Sequence, residues 1–212
     1  MPTSFYTFCS KRYIKRRGAL LNTQEVKEKL IENTIKIIAN EGLGKTTTKA
    51  ITGETGINEA YIYRYFSSKE GLLVKTFDML DDELVSKVMQ YVDVMYKQEL
   101  EYELRCQVYF EAIWKFLLGN RDKCVAFIRY YYSPYFQKYS IVTHKQRYEL
   151  FIKKIATAFK EESNVWMILN HVLSTMLDFA IKVYNNELPN NEDTSEHVFR
   201  LIYVSIKQYF KD

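Results

Sequence analysis

Three tyrosines, Tyr61, Tyr63 and Tyr65, stand close together in the chain, and their phenolic hydroxyls are suited to donate hydrogen bonds to phosphate oxygens. In a helix, Ile62 and Phe66 lie four residues apart, so they can hold one face against a core. Tyr61 and Tyr65 then share a different face, with Tyr63 beside them. Such contacts would fix the helix on a nucleic acid without reading its sequence. The alternative interpretation is a tyrosine-rich packing surface.

The elements that would position these tyrosines are three short helices and the start of a longer one. Residues that favour helix starts and stops divide this part of the chain at Asn22-Thr23, Gly42, Thr46–Thr48, Thr55-Gly56, Asn58 and Ser67-x-x-Glu70. The segment 54–58 is short, contains Gly56 and joins two short amphipathic helices. This is the form of a helix-turn-helix, in which the second helix enters the major groove of DNA. Many helical hairpins share the form, so the turn alone does not establish it.

Residues 23–73 resemble the DNA-binding half of the TetR/AcrR regulators. The residues that carry the resemblance are Gly42, Thr46-Thr47-Thr48, Ile51, Gly56-Ile57 and the run Ile62-Tyr63-Arg64-Tyr65-Phe66-Ser67-Ser68-Lys69-Glu70-Gly71-Leu72. The resemblance implies phosphate contacts from Thr48, Tyr63, Tyr65 and Lys69, while Lys49 would reach a phosphate or a base edge. It places Glu59, Ala60 and Tyr61 where base-reading residues usually stand. Asn58, at the start of the same helix, completes the predicted DNA-binding set.

Two positions depart from the family pattern. Ala60 stands where the family often has Gly, and its methyl group takes up little additional space. Glu59 is acidic at a position that faces the groove, where a carboxylate would cost affinity unless it accepts a hydrogen bond from a cytosine amino group. Alternatively, Glu59 favours the positive N-terminal end of its helix.

The net charge of +4 is concentrated at the start of the chain. Residues 1–22 contain Lys11, Arg12, Lys15, Arg16 and Arg17 and no acidic residue. Clustered positive charge attracts polyanions, of which nucleic acid is the commonest. This basic extension is expected to lie along the minor groove as an arm, to add phosphate contacts, or to have no role; the sequence leaves these alternatives open.

The remainder of the chain is also helical in its apolar periodicity, and only 7 Gly and 3 Pro interrupt it. We therefore predict an all-α fold of about nine helices. It would consist of a basic extension (1–22), a helix-turn-helix domain (23–75) and a larger helical domain for ligand binding and dimerisation (76–212). Further predicted helices cover about 82–95, 100–118, 120–132, 143–159, 164–185 and 194–210.

The last two predicted helices carry more apolar rows than one thin bundle can cover, which favours pairing with a second copy in a four-helix interface. The resemblance implies the same homodimer. The predicted interface residues are Val165, Leu169, Val172, Met176, Phe179, Val183, Phe199, Ile202 and Ile206. The alternative is a monomer whose central helix is buried on all sides.

The middle helices are rich in aromatic residues, which in this family enclose a ligand cavity. A pocket for an apolar or cationic effector is therefore a hypothesis, with Trp114 and Tyr131 as its lining residues. Aromatic residues at helical spacing are more often ordinary core. Single, scattered histidines and cysteines predict no metal site, no cofactor and no disulfide.

The resemblance implies a cytoplasmic, ligand-responsive repressor that binds a palindromic operator. A DNA-binding protein that acts through protein partners without an inducer is the alternative. No grouping of side chains indicates an enzyme. No apolar run reaches the roughly 20 residues that a membrane span requires.

Overall fold

The computed structural model describes residues 14–15 and 20–211 of the chain. Nine α-helices occupy most of these residues, which confirms the predicted all-α fold. They are α1 (Thr23–Glu41), α2 (Thr48–Gly53), α3 (Ala60–Phe66), α4 (Lys69–Tyr91), α5 (Tyr102–Leu118), α6 (Arg121–Tyr131), α7 (Ile141–Ile155), α8 (Val165–Tyr184) and α9 (Glu192–Ile206). Two short strands that the sequence did not predict, β1 (Ile14–Lys15) and β2 (Leu20–Leu21), pair in antiparallel fashion before α1.

The first helix begins and ends where the sequence predicts. Asn22 caps α1 by accepting hydrogen bonds from the backbone of Gln24 and Glu25, and the Glu25 side chain accepts one from the Asn22 N–H in return. Gly42 follows α1 with a φ of 90°, a conformation that favours glycine. This pair of caps fixes the length of the helix that supports the N-terminal domain.

The caps of α3 and α4 differ in detail from the prediction. The side chain of Asn58 accepts a hydrogen bond from the N–H of Ala60, but α3 itself begins at Ala60. Ser68 rather than Ser67 caps α4, because its hydroxyl accepts a hydrogen bond from the N–H of Gly71. Ser67 instead makes the turn between the two helices, with a φ of 67°.

One long helix, α4, joins the two halves of the chain. The sequence predicted separate helices before and after about residue 82, and this prediction is wrong, because α4 continues without a break to Tyr91. Leu72 and Leu73 are buried near its start, and Leu84 and Val88 near its end. The predicted boundary between residues 75 and 76 therefore falls inside a continuous helix, and the division into two domains stays a proposal.

The second half packs its helices around α8, which contacts α5, α6, α7 and α9. A single bridge between Phe159 and Phe210 joins the segments that follow α7 and α9. The helical structure of α7 starts earlier than predicted, through a π-helical stretch at Phe136–Ser140. The aromatic residues Tyr130, Tyr148 and Phe151 lie in the interior of this half, as expected if most of them form ordinary core.

The two halves also meet through α6, which lies against α1. The Nη1 atom of Arg129 on α6 donates a hydrogen bond of 2.8 Å to the carbonyl oxygen of Ile38 in the last turn of α1. The last turn of α1 contains no basic residue of its own. Arg129 therefore supplies the positive charge that the C-terminal end of a helix favours.

Candidate nucleic-acid interface

Helix α3 is held against the N-terminal domain by its inner side. Ile62 is fully buried, as is Ile51 on α2, and Ile57 between the two helices is nearly so. Asn33 on α1 donates a hydrogen bond of 2.6 Å from Nδ2 to the carbonyl oxygen of Ile51, and this buried contact fixes α2 relative to α1. The sequence analysis did not single out Asn33; a polar residue within the apolar face of α1 was the available signal.

The turn between α2 and α3 has the predicted form. Gly56 adopts a φ of 63°, which an L-residue rarely adopts. The hydroxyl of Thr55 donates to the carbonyl oxygen of Thr52 and accepts a hydrogen bond from the N–H of Ile57. The turn is thus internally hydrogen-bonded and sets the direction of α3.

The three tyrosines of α3 are not equivalent. Tyr63 is exposed over 57% of its surface, whereas Tyr61 and Tyr65 are half-buried. The rings of Tyr61 and Tyr65 stack at 5.6 Å between centroids. None of the three hydroxyls makes a hydrogen bond within residues 22–211, so all three are free to donate elsewhere. The arrangement matches the predicted outward presentation for Tyr63 and only in part for the other two.

The other predicted DNA-binding residues lie on the surface of the same domain. Lys49, Asn58 and Ala60 are exposed, while Thr48, Glu59 and Lys69 are partly exposed. Their roles in DNA contact stay predictions. Glu59 immediately precedes α3 and makes no side-chain capping hydrogen bond there.

Two basic side chains near Tyr65 were missed by the sequence analysis. The Nζ atom of Lys27 on α1 lies 5.5 Å from the centre of the Tyr65 ring, and the guanidinium of Arg64 lies 5.7 Å from it. Arg64 stands within the quoted family run, which was the signal available for it. No sequence signal pointed to Lys27, because only the folded structure brings its side chain on α1 close to the Tyr65 ring on α3.

The predicted basic extension cannot be placed in the same way. Its basic residues Lys11, Arg12, Arg16 and Arg17 lie outside the described residues, and only the backbone of Lys15 belongs to β1. Its role stays a prediction.

The structure corrects several predicted dimer residues. Five of them are buried within a single protomer, namely Leu169, Met176, Val183, Phe199 and Ile202. They have almost no surface to offer a partner, so they belong to the core of the protomer. Val165, Val172, Phe179 and Ile206 are partly exposed and stay predictions.

A different apolar row of α8 and α9 faces outward. Met167 is exposed over 66% of its surface, Leu201 over 59% and Val204 over 58%. His171 on α8 accepts from or donates to the hydroxyl of Ser205 on α9 at 2.8 Å, which places the two exposed rows side by side. We call the surface formed by Met167, His171, Leu201 and Val204 the α8–α9 face.

The two predicted pocket residues line different spaces in the second half. Tyr131 lines a cavity of about 130 Å³ among α6, α7 and α8. Trp114 lines a different space, an open groove of about 730 Å³ between α5 and the start of α9, and its ring stacks on Phe110 at 5.8 Å. The role of either residue in ligand binding stays a prediction.

A buried charged network lies next to this cavity. Arg147 on α7 donates hydrogen bonds to Asp78 at 2.7 Å, Asp81 at 2.9 Å and Asp82 at 2.5 Å, all on α4. The Nδ1 atom of His144 lies 3.0 Å from the fully buried Asp81 carboxylate. Burial by itself would lower the pKa of Arg147, but its hydrogen bonds to the three carboxylates raise it above the usual value.

Within residues 14–15 and 20–211, no group of three or more His, Cys, Asp or Glu side chains is arranged to hold a metal ion. Over the same residues, no helix is both long and apolar enough to cross a membrane.

Comparison with known proteins agrees with this arrangement. Residues 30–76 match the family described as bacterial regulatory proteins, tetR family. An uncharacterized HTH-type transcriptional regulator, YerO of Bacillus subtilis, is 40% identical over 50 residues, which are 24% of this chain and only 17% of that protein.

Solved structures extend the likeness from the N-terminal domain to the whole fold. A TetR family transcription regulator from Marinobacter aquaeolei VT8 is similar over 84% of this chain and 94% of its own, with a TM-score of 0.69 and 13% identity. A putative tetR family transcription regulator from Shewanella sp. PV-4 is similar over 84% of this chain and 96% of its own, with a TM-score of 0.67 and 18% identity. A putative transcriptional regulator from Saccharomonospora viridis in complex with choline is similar over 89% of this chain and 100% of its own, with a TM-score of 0.57 and 15% identity.

The fold and the outward helix define a helix-turn-helix protein with a helical second half. Residues 30–76 therefore match the N-terminal domain of the tetR family, and the described residues share the fold of the solved TetR family structures.

Proposed function

We propose that this chain is a transcriptional repressor that binds a palindromic DNA operator as a homodimer and releases it when a small molecule binds. The observation that carries the proposal is the outward presentation of α3, with Ile62 fully buried on one side and Tyr63 exposed on the other. This geometry suits insertion of a helix into the major groove. The proposed site of action is the cytoplasm, where bacterial DNA lies.

The proposed contacts divide into positioning and base-reading residues. Tyr63, Tyr65, Thr48 and Lys69 would bind phosphates and so fix the position of α3 on the duplex. Glu59, Ala60 and Tyr61, with Asn58 and Lys49 at the edges, would face the bases. Because Glu59 makes no side-chain capping bond, its carboxylate is free to accept a hydrogen bond from a cytosine amino group.

The homodimer is proposed to form through the α8–α9 face. Its apolar side chains are unpaired within the protomer, and two-fold pairing of two helices from each copy would bury them in a four-helix interface. A dimer would also hold two α3 helices at a fixed spacing, as two successive major grooves require.

The second half is proposed to bind the effector. The cavities beside α8 support an inducer more than regulation through a protein partner alone, because a solid core would leave no room for a ligand. The neighbour from Saccharomonospora viridis, described in complex with choline, supports a small molecule as the effector.

The DNA contacts are tested by selecting operator sequences with the purified full chain and then measuring binding of variants by fluorescence anisotropy at several salt concentrations. Lys69→Ala is expected to weaken binding to all sequences alike and to lower the salt slope by about one unit, because one phosphate contact is lost. Tyr63→Phe is expected to weaken binding without unfolding the protein.

Lys145→Ala, which removes an exposed lysine on α7, is the control and should leave the slope unchanged. If no sequence is enriched, or if Lys69→Ala and Lys145→Ala behave alike, the proposed interface is wrong.

A further inference from the structure

Two neighbouring cavities in the second half share part of their walls. The first, which we call the head cavity, is the one of about 130 Å³ that Tyr131 lines. The second, the tail cavity, measures about 100 Å³ and lies among α5, α7, α8 and α9. Leu169 and Leu173 line both. These two leucines therefore lie between the two cavities.

The head cavity is walled by aromatic rings that lie close together. The ring of His144 lies 4.8 Å from that of Tyr148, 5.5 Å from Tyr131 and 6.0 Å from Trp166, measured between centroids. Tyr148 and Trp166 are themselves 6.0 Å apart. The rings meet at angles between 54° and 77°, so they pack against one another and form a continuous aromatic wall of the cavity, and a cation is attracted to the negative face of such a ring.

The charges around the head cavity favour a cation as well. Its lining residues include no Lys or Arg, and they include Asp178, an exposed carboxylate that pairs with Lys182 outside the lining. Behind His144 stands the buried carboxylate of Asp81, and Arg147 links it to Asp78 and Asp82, so one guanidinium faces three carboxylates in this network. An anionic group would meet no lysine or arginine on the walls of this cavity.

The tail cavity has a different chemistry. Its walls are almost entirely apolar and include Phe110, Ile113, Phe151, Val172 and Met176. Burial raises the pKa of the Cys106 thiol, which also lines this cavity, to about 12, so the thiol is uncharged at neutral pH. Such a space gains free energy from an alkyl or aryl group and offers nothing to a charged one.

We propose that the second half binds an amphiphilic organic cation, whose ammonium group occupies the head cavity and whose apolar body occupies the tail cavity. This inference rests on the proposed function, in which a small molecule controls DNA binding. It adds the chemical class of that molecule. The juxtaposition of an aromatic, acidic chamber with an apolar one is the observation that carries it.

The test is calorimetric titration of the full-length protein with three probes that share one alkyl chain, each below its micelle concentration: octyltrimethylammonium, 1-octanol and octane-1-sulfonate. Octyltrimethylammonium is expected to bind at least about tenfold more tightly than either other probe, because only it combines a cation with the apolar body. Tetramethylammonium, which lacks the tail, should bind more weakly than octyltrimethylammonium.

Variants then locate the cation. Asp178→Asn and Trp166→Leu should each weaken octyltrimethylammonium binding several-fold and leave 1-octanol binding nearly unchanged. Trp166→Phe, which keeps an aromatic face, should recover part of the affinity. Glu149→Gln, which removes an exposed carboxylate on α7 outside both cavities, is the matched control and should have no effect.

Equal affinity for the three probes, tighter binding of octane-1-sulfonate, absence of binding, or equal effects of Asp178→Asn and Glu149→Gln would each overturn the proposal. Operator binding is measured separately on the same preparations. Intact operator binding without cation selectivity would reject this inference alone, whereas loss of all sequence-specific DNA binding would reject the proposed function.

Discussion

Gly71, in the first turn of α4, lies directly against the end of α3. A Cβ atom at this position would stand 2.0 Å from the carbonyl oxygen of Phe66, the last residue of α3. Because that oxygen belongs to the backbone, it cannot move away without shifting α3 itself. The close approach of the two helices therefore depends on the absence of a side chain at Gly71.

Overpacking usually costs about 1–3 kcal/mol. The gain of about 1 kcal/mol that alanine has over glycine within a helix offsets part of this cost, so Gly71→Ala is expected to lower the free energy of unfolding by up to about 2 kcal/mol. Gly53→Ala, at the end of α2, is the matched control, since its Cβ would meet nothing within 4 Å. Urea unfolding of both variants checks the prediction, which fails if Gly71→Ala is as stable as Gly53→Ala.

The two cysteines among residues 22–211 are buried, and burial is the main cause of their raised pKa values. The pKa of Cys106 rises to about 12 and that of Cys124 to about 11, from an ordinary 9.0. Below pH 9 both thiols are protonated whether the chain is folded or unfolded. Above pH 9 only the unfolded chain releases their protons, so the stability that they contribute is lost as the pH rises toward the folded pKa values.

The free energy of unfolding is therefore expected to fall between pH 9 and 11, by up to about 1.4 kcal/mol per pH unit for each thiol. Urea unfolding of the wild type and of Cys124→Ala at several pH values isolates one contribution. The variant should show a shallower decline. Parallel declines for the two proteins would contradict the assigned cause.

At the scale of elements, the network around Arg147 fastens α7 to the long helix α4. One guanidinium binds three carboxylates that span little more than one turn of α4. Since Asp81 is fully buried, removal of the arginine leaves a charge that only His144 still contacts.

Arg147→Met is expected to destabilise the protein by up to about 3–5 kcal/mol, the range found when a buried ion pair loses one partner. Lys154→Met on the same helix is the control. Its pair with Asp93 is exposed, and such pairs contribute about 1 kcal/mol or less. Equal losses in the two variants, measured by urea unfolding, would mean that the buried network does not fasten α7 to α4.

The same network explains which elements the sequence could predict. The bounds of α1 are encoded locally, by Asn22 and Glu25 at one end and Gly42 at the other, and there the prediction is accurate. The sequence analysis predicted a separate helix that begins at about residue 82, whereas α4 continues through this point. The structure uses the carboxylates of Asp81 and Asp82 to bind Arg147 on α7, and a contact between residues so far apart in sequence leaves no local signal.

In the candidate sites as well, local features could be predicted from the sequence and features set by distant contacts could not. The family run predicted the position and the exposed Tyr63 of α3, because the short pattern itself specifies that local structure. For α8, periodicity identified apolar rows but not what covers them. Leu169 and Met176 pack inside the protomer, whereas Met167 lies outside. Only the packing of α5, α6, α7 and α9 around α8 distinguishes the two cases.

For the whole molecule, the proposed operator binding by two α3 helices depends on the proposed homodimer. Leu201 is an exposed residue of the α8–α9 face, and a charge there would be buried without a partner in the proposed interface, which is costly. Leu201→Arg is therefore expected to weaken association by more than about tenfold and to give the 25.3 kDa protomer at micromolar concentration. Analytical ultracentrifugation over a range of concentrations measures this directly.

Leu150→Arg is the matched control, because Leu150 is exposed over 67% of its surface on α7, away from the α8–α9 face. It should leave the dimer and its operator affinity intact, whereas Leu201→Arg should lose operator affinity together with association. If both variants remain dimeric, the interface lies elsewhere. If Leu201→Arg becomes monomeric and still binds the full operator as the wild type does, dimerisation is not what positions the two α3 helices on DNA.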